Sequence, residues 1–306
     1  MSSSNNTVLI TGAAGFLGSE VCNFLSNNGY SVITLGRKNA DIICDLGDSV
    51  PKLPSSINFV IHAAGKAHLV PKTELEAADF FKVNVKGTQN LIEGLRESKS
   101  NIQSFVFISS VAVYGVSQGS EIDENHPLLA EDPYGKSKIE AETIIRNFCT
   151  SNNIQYTLLR LPLIAGKNPP GNLGAMISAI KKGFYFSFGN GSVKKSMVLA
   201  SDVAKFMPVF FKSTGIYNLT DGYHPTFHEL EYAISKGLGK KGNLKKIPGI
   251  VAKLMAKCGD LLGKKSPINS LKLKKMQSEL TFSDQKARKE LQWEPQRVIQ
   301  FIENIL

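Results

Sequence analysis

The sequence contains a tyrosine and a lysine with the spacing of an acid–base pair, Tyr134 and Lys138, in the stretch YGKSK. Residues four apart lie on one face of a helix, so both side chains are expected to point the same way. A phenol with a pKa of about 10 exchanges protons poorly at neutral pH unless a nearby cation stabilises its phenolate. We therefore expect Lys138 to activate Tyr134, which would donate or accept a proton while a hydride moves.

Two serines add hydroxyl groups where an apolar strand is predicted to end. In FVFISSVAVYG, the β-branched and aromatic residues 105–108 are followed by Ser109 and Ser110, and then by Val111 and Ala112. We expect Ser110 to hydrogen-bond the reacting oxygen and Ser109 to contact the substrate. A tyrosine and a lysine four apart are usually ordinary surface residues. Their occurrence with these serines and with a glycine-rich turn favours a catalytic interpretation.

A glycine-rich turn, TGAAGFLG, follows the first predicted strand and begins a predicted helix. Gly12 permits a tight turn, Gly15 lets the backbone approach a pyrophosphate, and Gly18 permits close helix–strand packing, while the helix N-terminus faces the phosphates. The flanking strand and helix favour dinucleotide binding over a plain turn. Further cofactor contacts are expected from the same segment, at Ala14, Phe16 and Leu17.

The end of the second predicted strand indicates which dinucleotide binds. An NAD site usually has an acidic residue there for the ribose 2′-hydroxyl. This sequence instead has Gly36, followed by Arg37 and Lys38. A guanidinium binds a 2′-phosphate through two charge-assisted hydrogen bonds, whereas a carboxylate would repel it. The pattern favours NADP(H), with NAD(H) possible; the alternative is that Arg37 only caps a surface turn.

The elements that must position these groups alternate between apolar strands and amphipathic helices, a pattern typical of a parallel α/β sheet. From Ala165 onward, segments rich in Gly, Pro and Asn surround one predicted helix, so the architecture is expected to change there. The predicted strands cover residues 7–11, 30–35, 57–65, 104–110, 155–162 and 215–221, the last of these returning late to the sheet.

We expect an α/β fold with a Rossmann-type, doubly wound parallel sheet and a smaller C-terminal α/β lobe for the substrate. The sheet domain is predicted to comprise residues 1–165 and 193–223, and the lobe to comprise residues 166–192 and 224–306. The cleft between them, beside the carboxyl ends of the strands, is the expected binding site. With 306 residues and 42% hydrophobic content, the chain can bury a core of this size.

Charge is concentrated in the C-terminal quarter. Residues 235–306 contain 16 Lys and Arg against 6 Asp and Glu, which accounts for the whole net charge of +10. This surplus could attract nucleic acid, a membrane surface or an anionic small substrate, or it could simply be solvated helical faces. The region has few aromatic residues for base stacking, which argues against nucleic-acid binding.

The sequence also indicates the cellular compartment of the protein. It has no apolar run near the ~18 residues that cross a bilayer and no secretion signal, so we expect no membrane insertion. Its cysteines are scattered and lack the spacing of a zinc site, which suggests reduced thiols in a cytoplasmic protein without a bound metal. These cysteines are Cys22, Cys44, Cys149 and Cys258.

The motifs, taken in order, resemble the extended short-chain dehydrogenase/reductase family, in its branch of nucleotide-sugar epimerases, dehydratases and reductases. The resemblance spans nearly the whole chain through TGAAGFLG, CDL, VIHAAG, VNVKGTQNL, FISSVAVYG, YGKSK and SDQKARKELQW. It implies that Ser110, Tyr134 and Lys138 are catalytic and that Tyr134 and Lys138 also contact the cofactor. The other cofactor contacts that it implies are Asp45, Leu46, Ala63, Ala64, Gly65, Asn84 and Pro162.

The resemblance also implies a set of substrate contacts. Asn172 would bind the diphosphate, and Phe186 and Phe188 would flank the nucleobase. Lys195 matches a position where relatives carry a phosphate-binding Arg, and lysine keeps the charge but not the two-pronged geometry. An Asn that follows the LR strand in related epimerases is replaced here by Leu163, so one phosphate contact is missing or replaced.

The resemblance narrows the reaction. The family's 4,6-dehydratases carry an acid pair where this chain has Val111 and Ala112, which cannot transfer protons, so dehydration is not expected. The stretches AAGKAHLVPKTE and LRLPLIAG resemble reductases of surface-polysaccharide synthesis. We therefore expect NADPH-dependent reduction of the C4 keto group of a UDP-4-keto-6-deoxy-N-acetylhexosamine, for example in lipopolysaccharide O-antigen biosynthesis.

Two alternatives to this reductase remain open. The resemblance also implies an oligomeric state. The first alternative is a UDP-hexose or UDP-N-acetylhexosamine 4-epimerase with tightly bound NAD. The second is a catalytically silent, dinucleotide-sensing protein, which the joint presence of Ser110, Tyr134 and Lys138 argues against. Because family members often form dimers through the helices that bear the Tyr–Lys pair, a homodimer is expected, with a UDP-sugar as the small-molecule partner.

Overall fold

The computed structural model describes residues 6–67, 71–188, 191–240, 244–247, 251, 254, 257, 259–260, 270 and 278–305. The strands in this part of the chain are β1 (Thr7–Thr11), β2 (Ser31–Gly36), β3 (Ile42–Ile43), β4 (Phe59–His62), β5 (Ser104–Ser110), β6 (Gly119–Ile122), β7 (Gln155–Leu161), β8 (Leu163–Ala165), β9 (Phe186–Phe188), β10 (Met197–Leu199), β11 (Gly215–Asn218), β12 (Lys245–Ile247) and β13 (Leu280–Phe282).

The helices pack around these strands. Those that the structure describes in full are α1 (Phe16–Asn27), α2 (Glu74–Phe81), α3 (Gly87–Ser98), α4 (Pro133–Ser151), α5 (Gly171–Lys182), α6 (Ala200–Lys205), α7 (Met207–Phe210), α8 (Phe227–Gly237), α9 (Gln285–Leu291) and α10 (Val298–Ile305). A π-helical turn, Lys82–Lys86, joins α2 to α3, and a 3₁₀ turn, Val111–Tyr114, follows β5.

Seven strands form one parallel sheet in the order β11-β7-β5-β4-β1-β2-β3. All five residues of β1 are buried, as expected for a central parallel strand covered on both faces. The predicted Rossmann-type parallel sheet is thus confirmed, as is the late return of the chain to the sheet, where β11 pairs with β7. The helical segment that follows β4 is divided by the π-helical turn.

The apolar side chains of the sheet pack into two clusters, one on each face. Val8 and Ile10 belong to the cluster that includes α1 and α6, whereas Leu9 belongs to the cluster that includes α3 and α4. This alternation follows from the period of two along a strand. Trp293 is fully buried in the first cluster, and its Nε1 donates to the carbonyl of Thr220 at 2.8 Å.

A third apolar cluster lies outside the main sheet and packs α5, α8 and α10 together through Leu173, Ile234 and Ile302. Three short parallel pairs lie outside the main sheet, β8 with β10, β9 with β12, and β6 with β13. The pair of β6 with β13 contributes Ile122 and Phe282 to a separate small cluster with Val113 and Tyr114. We propose the division of the chain into two parts at the predicted boundaries, although the third cluster also includes Ala165, Met197 and Leu199 of the predicted sheet domain. Of the cysteines, Cys22, Cys44 and Cys149 are free thiols, and Cys258 is outside the described residues.

Helix α4 is well defined at its N-terminus, where the site residues lie. Asp132 is its N-cap, and the carboxylate accepts a hydrogen bond from the backbone N–H of Gly135 at 3.0 Å. Pro133 occupies the first turn, where its missing N–H costs nothing. The described helices include none that is both long and apolar enough to span a bilayer.

Candidate functional site

A cavity of about 730 Å³ opens at the carboxyl ends of four adjacent sheet strands. Its wall includes Gly12 after β1, Ala63 after β4, Ser110 at the end of β5 and Pro162 after β7. This is the edge of a parallel sheet where ligands of α/β proteins bind. The predicted site residues that line it are Gly12, Gly15, Phe16, Leu17, Gly18, Ala63, Gly65, Ser109, Ser110, Tyr134, Lys138 and Pro162.

The glycine-rich turn forms one wall of the cavity and has the geometry that a dinucleotide needs. Gly12 has a φ of +74°, and a Cβ there would lie 2.6 Å from the backbone nitrogen of Ala64. A Cβ on Gly18 would collide with the carbonyl oxygen of Gly12, so α1 packs directly on the turn. The first turn of α1 lines the cavity, and its N–H groups suit the phosphates of a dinucleotide.

Ser110 and Tyr134 meet on the opposite wall. Burial raises the pKa of Tyr134 above its usual value, and this effect outweighs the Ser110 hydroxyl, which favours the phenolate. The Ser110 oxygen also accepts from the backbone N–H of Ala112 at 3.2 Å. The sequence predicts that Lys138 lowers the pKa of Tyr134. The structure differs, since the opposing influence comes from Ser110 and the phenol keeps its proton at neutral pH.

Lys138 is buried one helical turn after Tyr134. Its Nζ donates to the carbonyl oxygen of Ile108 at 2.8 Å and lies 4.5 Å from the centre of the Phe107 ring. Burial lowers the pKa of this ammonium to about 8, against the raising influence of Glu142. The group is thus charged at neutral pH and close to losing its proton in mildly alkaline solution.

Asn84 lies in the π-helical turn and fixes the loop that carries Gly65. Its Oδ1 accepts from the backbone N–H of Lys66 at 2.7 Å, and its Nδ2 donates to the Lys66 carbonyl at 3.1 Å and to Ser137 Oγ at 2.8 Å. The family resemblance implies that Asn84 contacts the cofactor directly. In the structure it supports the loop from behind and does not line the cavity.

A buried histidine that the sequence analysis did not assign lies at the end of β4. His62 Nδ1 is 2.6 Å from Thr11 Oγ1, and its Nε2 is 3.0 Å from Thr88 Oγ1. Burial lowers its pKa to about 3, with a further lowering by Lys138, so the ring is neutral. Thr11 Oγ1 in turn accepts from the backbone N–H of Ala64. The sequence feature that could have identified His62 is a histidine within an apolar strand, directly before a glycine-containing loop.

Several predicted cofactor contacts lie away from the cavity. Arg37 is exposed just beyond the end of β2. The carboxylate of Asp45 accepts from the backbone N–H of Gly47 at 3.0 Å, and the side chain of Leu46 packs into the sheet core. Of the predicted cofactor residues, the cavity lining excludes Ala14, Arg37, Asp45, Leu46, Ala64 and Asn84.

The predicted substrate residues are also spread outside the cavity. Asn172 is exposed in the first turn of α5, and Phe186 is 41% exposed on β9. Lys195 donates through Nζ to the carbonyl of Ser278 at 2.7 Å. Phe188 belongs to β9, but its side chain is outside the described part of the structure. Asn172, Phe186 and Lys195 do not line the cavity.

Ser109 differs from its neighbour Ser110 in the partner of its hydroxyl. Its hydroxyl is buried and donates to Oε1 of Glu142 at 2.5 Å. Successive residues of a strand point to opposite faces, so one serine of the pair faces Tyr134 and the other faces the core side of α4. The Ser109 hydroxyl is therefore engaged by the protein itself rather than available to a substrate.

Comparison with known proteins gives the family. Residues 8–219 match the model of the NAD dependent epimerase/dehydratase family. A relative from Escherichia coli O157:H7, named N-acetyl-alpha-D-glucosaminyl-diphospho-ditrans,octacis-undecaprenol 4-epimerase, is 28% identical over 290 residues, which are 89% of this chain and 85% of the relative. A protein of Methanocaldococcus jannaschii named "Putative UDP-glucose 4-epimerase" is 34% identical over 260 residues, covering 77% of this chain and 83% of that one.

Solved structures show the same fold. The UDP-N-acetylglucosamine 4-epimerase from Bacillus cereus matches with a TM-score of 0.75 at 21% identity, over 98% of this chain and 97% of the other. The UDP-glucose 4-epimerase of Thermus thermophilus, solved as a complex with NAD, matches with a TM-score of 0.73 at 23% identity and the same coverage. Together with the family match, the glycine-rich turn and the Ser–Tyr–Lys cluster, these likenesses give one conclusion: the chain belongs to the NAD dependent epimerase/dehydratase family of enzymes.

Proposed function

We propose that the protein is a 4-epimerase of a diphosphate-linked sugar, with a UDP-hexose or UDP-N-acetylhexosamine as the substrate. The observation that supports this proposal is that Ser110, Tyr134 and Lys138 line the same cavity as the glycine-rich turn. The cavity therefore brings a proton-transfer group together with the turn expected to hold a dinucleotide. The relatives from Escherichia coli and Methanocaldococcus jannaschii both carry names that specify 4-epimerisation.

The residues of the chain have distinct roles in this proposal. A nicotinamide dinucleotide, when bound, supplies a group that accepts a hydride from carbon and returns it. The phenolate form of Tyr134, a minor form at neutral pH because burial raises the pKa of the phenol, takes the proton of the C4 hydroxyl as the carbon is oxidised and gives it back when the carbon is reduced on the opposite face. Ser110 hydrogen-bonds the same oxygen, and Lys138 holds a positive charge behind it below a pH of about 8. Protons and electrons balance over the cycle, so the sugar changes only in configuration.

The apolar wall beside Ser110 supports epimerisation over dehydration. Val111 and Ala112 both line the cavity and begin the 3₁₀ turn. Neither side chain can protonate a leaving hydroxyl or remove a proton from carbon. Elimination of water requires both operations. By the sequence resemblance, the side chains that perform them in the dehydratases occupy these two positions next to the catalytic hydroxyl.

A second candidate, the 4-reductase, draws on one specific observation. Arg37 is exposed where β2 ends, the position at which a dinucleotide's adenosine ribose is expected in a Rossmann fold. A guanidinium there favours a 2′-phosphate and hence NADP(H), which exchanges between turnovers in a net reduction. An epimerase instead recycles its own dinucleotide. The identity and exchange of the dinucleotide therefore separate the two candidates.

The experiment is to purify the protein, denature a portion and identify any released dinucleotide by mass spectrometry. The intact protein is then incubated with UDP-glucose or UDP-N-acetylglucosamine, and the sugar configuration is followed by proton NMR. Interconversion without added dinucleotide would support the epimerase. Consumption of one NADPH per UDP-4-keto sugar, with no interconversion, would replace it by the reductase. A parallel reaction with a polyprenyl-diphosphate N-acetylglucosamine tests whether the diphosphate is carried by a nucleoside or by a lipid.

We also propose that the protein is a homodimer with a location in the cytoplasm. A groove of about 520 Å³ lies between α3 and α4, lined by Gln89, Glu93, Arg96, Ile144 and Asn147 among others. Helix α4 bears the Tyr–Lys pair and is the helix through which the family resemblance predicts dimerisation. Light scattering coupled to size-exclusion chromatography tests this assembly: a mass near twice 33.4 kDa supports it, and a mass near 33.4 kDa contradicts it.

A further inference from the structure

A buried carboxylate, Glu142, lies behind the wall formed by the two serines and has no direct part in the proton transfer proposed above. Its side chain is 5% exposed, and that of its partner Arg160 is 3% exposed. The guanidinium donates through Nε to Oε1 at 3.1 Å and through a terminal nitrogen to Oε2 at 2.8 Å. The hydroxyl of Ser109 donates to the same Oε1. The carboxylate thus joins α4 to β5 and β7 at one point.

Glu142 continues the row of side chains begun by Tyr134 and Lys138, because residues four apart share one face of α4. On the sheet, Ser109 and Arg160 are directly opposite each other in the β5–β7 register, so their side chains lie on the same face. The row on the helix and the pair on the sheet meet at this carboxylate. A displacement of the Glu142 carboxylate would therefore disturb both the end of β5 and helix α4, which carries Tyr134.

Arg160 extends the contact to the turn that follows the serines. Its terminal nitrogen donates to the hydroxyl of Tyr114 at 3.2 Å, and that hydroxyl donates to Oδ1 of Asn218 at 2.7 Å. The guanidinium also lies 5.1 Å from the centre of the Tyr114 ring. The network therefore fixes the 3₁₀ turn as well as the strand end.

Stability is a weak reason for burying these two charges. Apolar side chains of similar volume can often replace a buried ion pair without loss of stability, because the pair costs desolvation energy. The position of Glu142 beside Lys138 offers a different reason. Burial lowers the pKa of the Lys138 ammonium to about 8, and the charge of Glu142 acts in the opposite direction.

The other titratable groups around Lys138 provide no comparable counter-charge. His62 on β4 is neutral because burial lowers its pKa to about 3. The phenol one turn earlier on α4 has a raised pKa and is neutral too. Lys66, after β4, is a second cation and is paired with Asp79 on α2. Within the described part of the chain, Glu142 is therefore the carboxylate that acts on Lys138.

We propose that Glu142 is a positioning residue of this site: it supplies the counter-charge of Lys138 and holds Ser109, and with it the end of β5, against α4. The proposal depends on the proposed function only in assigning Lys138 to the chemistry. Neutralisation of the Glu142 carboxylate is therefore expected to change the charge state of Lys138 as well as the packing of α4.

The test is an NMR titration of the Lys138 Cε in protein labelled with ¹³C-lysine, the signal being assigned by its loss in Lys138→Arg. In Glu142→Gln, the Lys138 pKa is expected to fall by roughly one unit, the size typical of a nearby opposite charge. Two matched controls disturb the same network without changing its charges, Ser109→Ala and Arg160→Lys. They are expected to move the Lys138 pKa by less than about a third of a unit.

If Glu142→Gln does not fold, a second variant can be used for the titration. Glu142→Gln/Arg160→Met removes both buried charges together and is expected to fold, because an intact apolar replacement avoids the uncompensated charge. It should show a downward shift of the Lys138 pKa that is smaller than that of Glu142→Gln, because loss of the Arg160 cation partly offsets loss of the carboxylate. An unchanged Lys138 pKa in either variant, or an equal shift in Ser109→Ala, would overturn the proposal. The titration needs no sugar substrate, so absence of 4-epimerase activity in the unaltered protein would reject the proposed function alone.

Discussion

The amide of Asn84 donates to the hydroxyl of Ser137 at 2.8 Å, and this single hydrogen bond joins the π-helical turn to α4 between Tyr134 and Lys138. The same amide holds the backbone of Lys66, next to Gly65 on the cavity wall. Single π-turns inside helices are frequent at functional sites. The side chain of Asn84 thus links the loop after β4 to the helix of the Tyr–Lys pair.

Replacement of Asn84 by Ala should therefore weaken dinucleotide binding without removing any group from the cavity. Two backbone hydrogen bonds to the loop are lost, and the free energy of unfolding should fall by about 1–3 kcal/mol. We expect about a tenfold loss of dinucleotide affinity by calorimetric titration. Asn152→Ala, which removes a side-chain hydrogen bond to Phe148 at the far end of α4, is the control. Equal affinity in the two variants would contradict the role of Asn84.

Replacement of Tyr134 by Phe should abolish the proton transfer and leave binding intact. The rate of sugar interconversion is expected to fall by about 10²–10⁴, the usual contribution of a positioned acid–base group. Dinucleotide affinity should change by less than about twofold, because the ring remains in place. Tyr30→Phe, distant from the cavity and packed on Phe59 and Phe211, is the control. A variant with more than about a tenth of the normal rate would exclude Tyr134 as the acid–base group.

Replacement of Arg37 by Asp should decide the role of this exposed guanidinium. If it binds a 2′-phosphate, NADPH affinity should fall by at least about tenfold while NADH affinity is unchanged or improved. Lys38→Asp makes the same change of charge one residue later and should have a smaller effect on the ratio of the two affinities. Identical ratios in the two variants would show that Arg37 only contributes to the general surface charge.

Replacement of Gly12 by Ala should cost more than the same change at Gly29. Both glycines have positive φ, +74° and +81°, so each pays about 1–2 kcal/mol for the left-handed conformation. At Gly29 the added Cβ meets no atom within 4 Å, whereas at Gly12 it would lie 2.6 Å from backbone. Chemical denaturation should show the larger loss for Gly12→Ala, together with loss of dinucleotide binding. A similar stability for both variants would contradict close packing of the turn on Ala63 and Ala64.

The stability of the protein should decrease in mild acid because of His62. Its pKa is about 3 in the folded protein and ordinarily 6.5, so the unfolded chain takes up the proton first as the pH falls. Between those values, this group alone removes about 1.4 kcal/mol of stability per pH unit. His62→Gln keeps polar atoms near Thr11 and Thr88 but has no such proton. Urea denaturation at pH 7, 6 and 5 should show a shallower decline for the variant; parallel curves would contradict a buried neutral imidazole.

The parts of the molecule that could be predicted are those encoded by local pattern. The apolar run of β1, the spacing of Gly12, Gly15 and Gly18, and the helical spacing of Tyr134 and Lys138 each depend on a few neighbouring residues. Their common location also follows from topology, because parallel strands present their carboxyl ends at one edge of the sheet. The cavity accordingly contains these residues together.

The parts that could not be predicted depend on contacts between distant segments. The partner of the Ser109 hydroxyl could not be predicted, because Glu142 and Arg160 lie 33 residues or more away from Ser109 in the sequence. The raised pKa of Tyr134 reflects burial by the assembled fold, which a lysine at i+4 does not reveal. Lys195 carries the right charge for a phosphate, but only the structure shows its ammonium bonded to the Ser278 carbonyl.

The pairing of β6 with β13 has a consequence for the order in which the protein can fold during its synthesis. Leu280 and Phe282 of β13 line the cavity, and the backbone of Glu121 in β6 bonds to Thr281 across a separation of 160 residues. During synthesis, the glycine-rich turn and the Ser–Tyr–Lys cluster leave the ribosome long before this wall can form. A nascent chain would thus hold a sheet able to fold while its cavity stays open on one side, so a ligand cannot be fully enclosed until β13 has emerged.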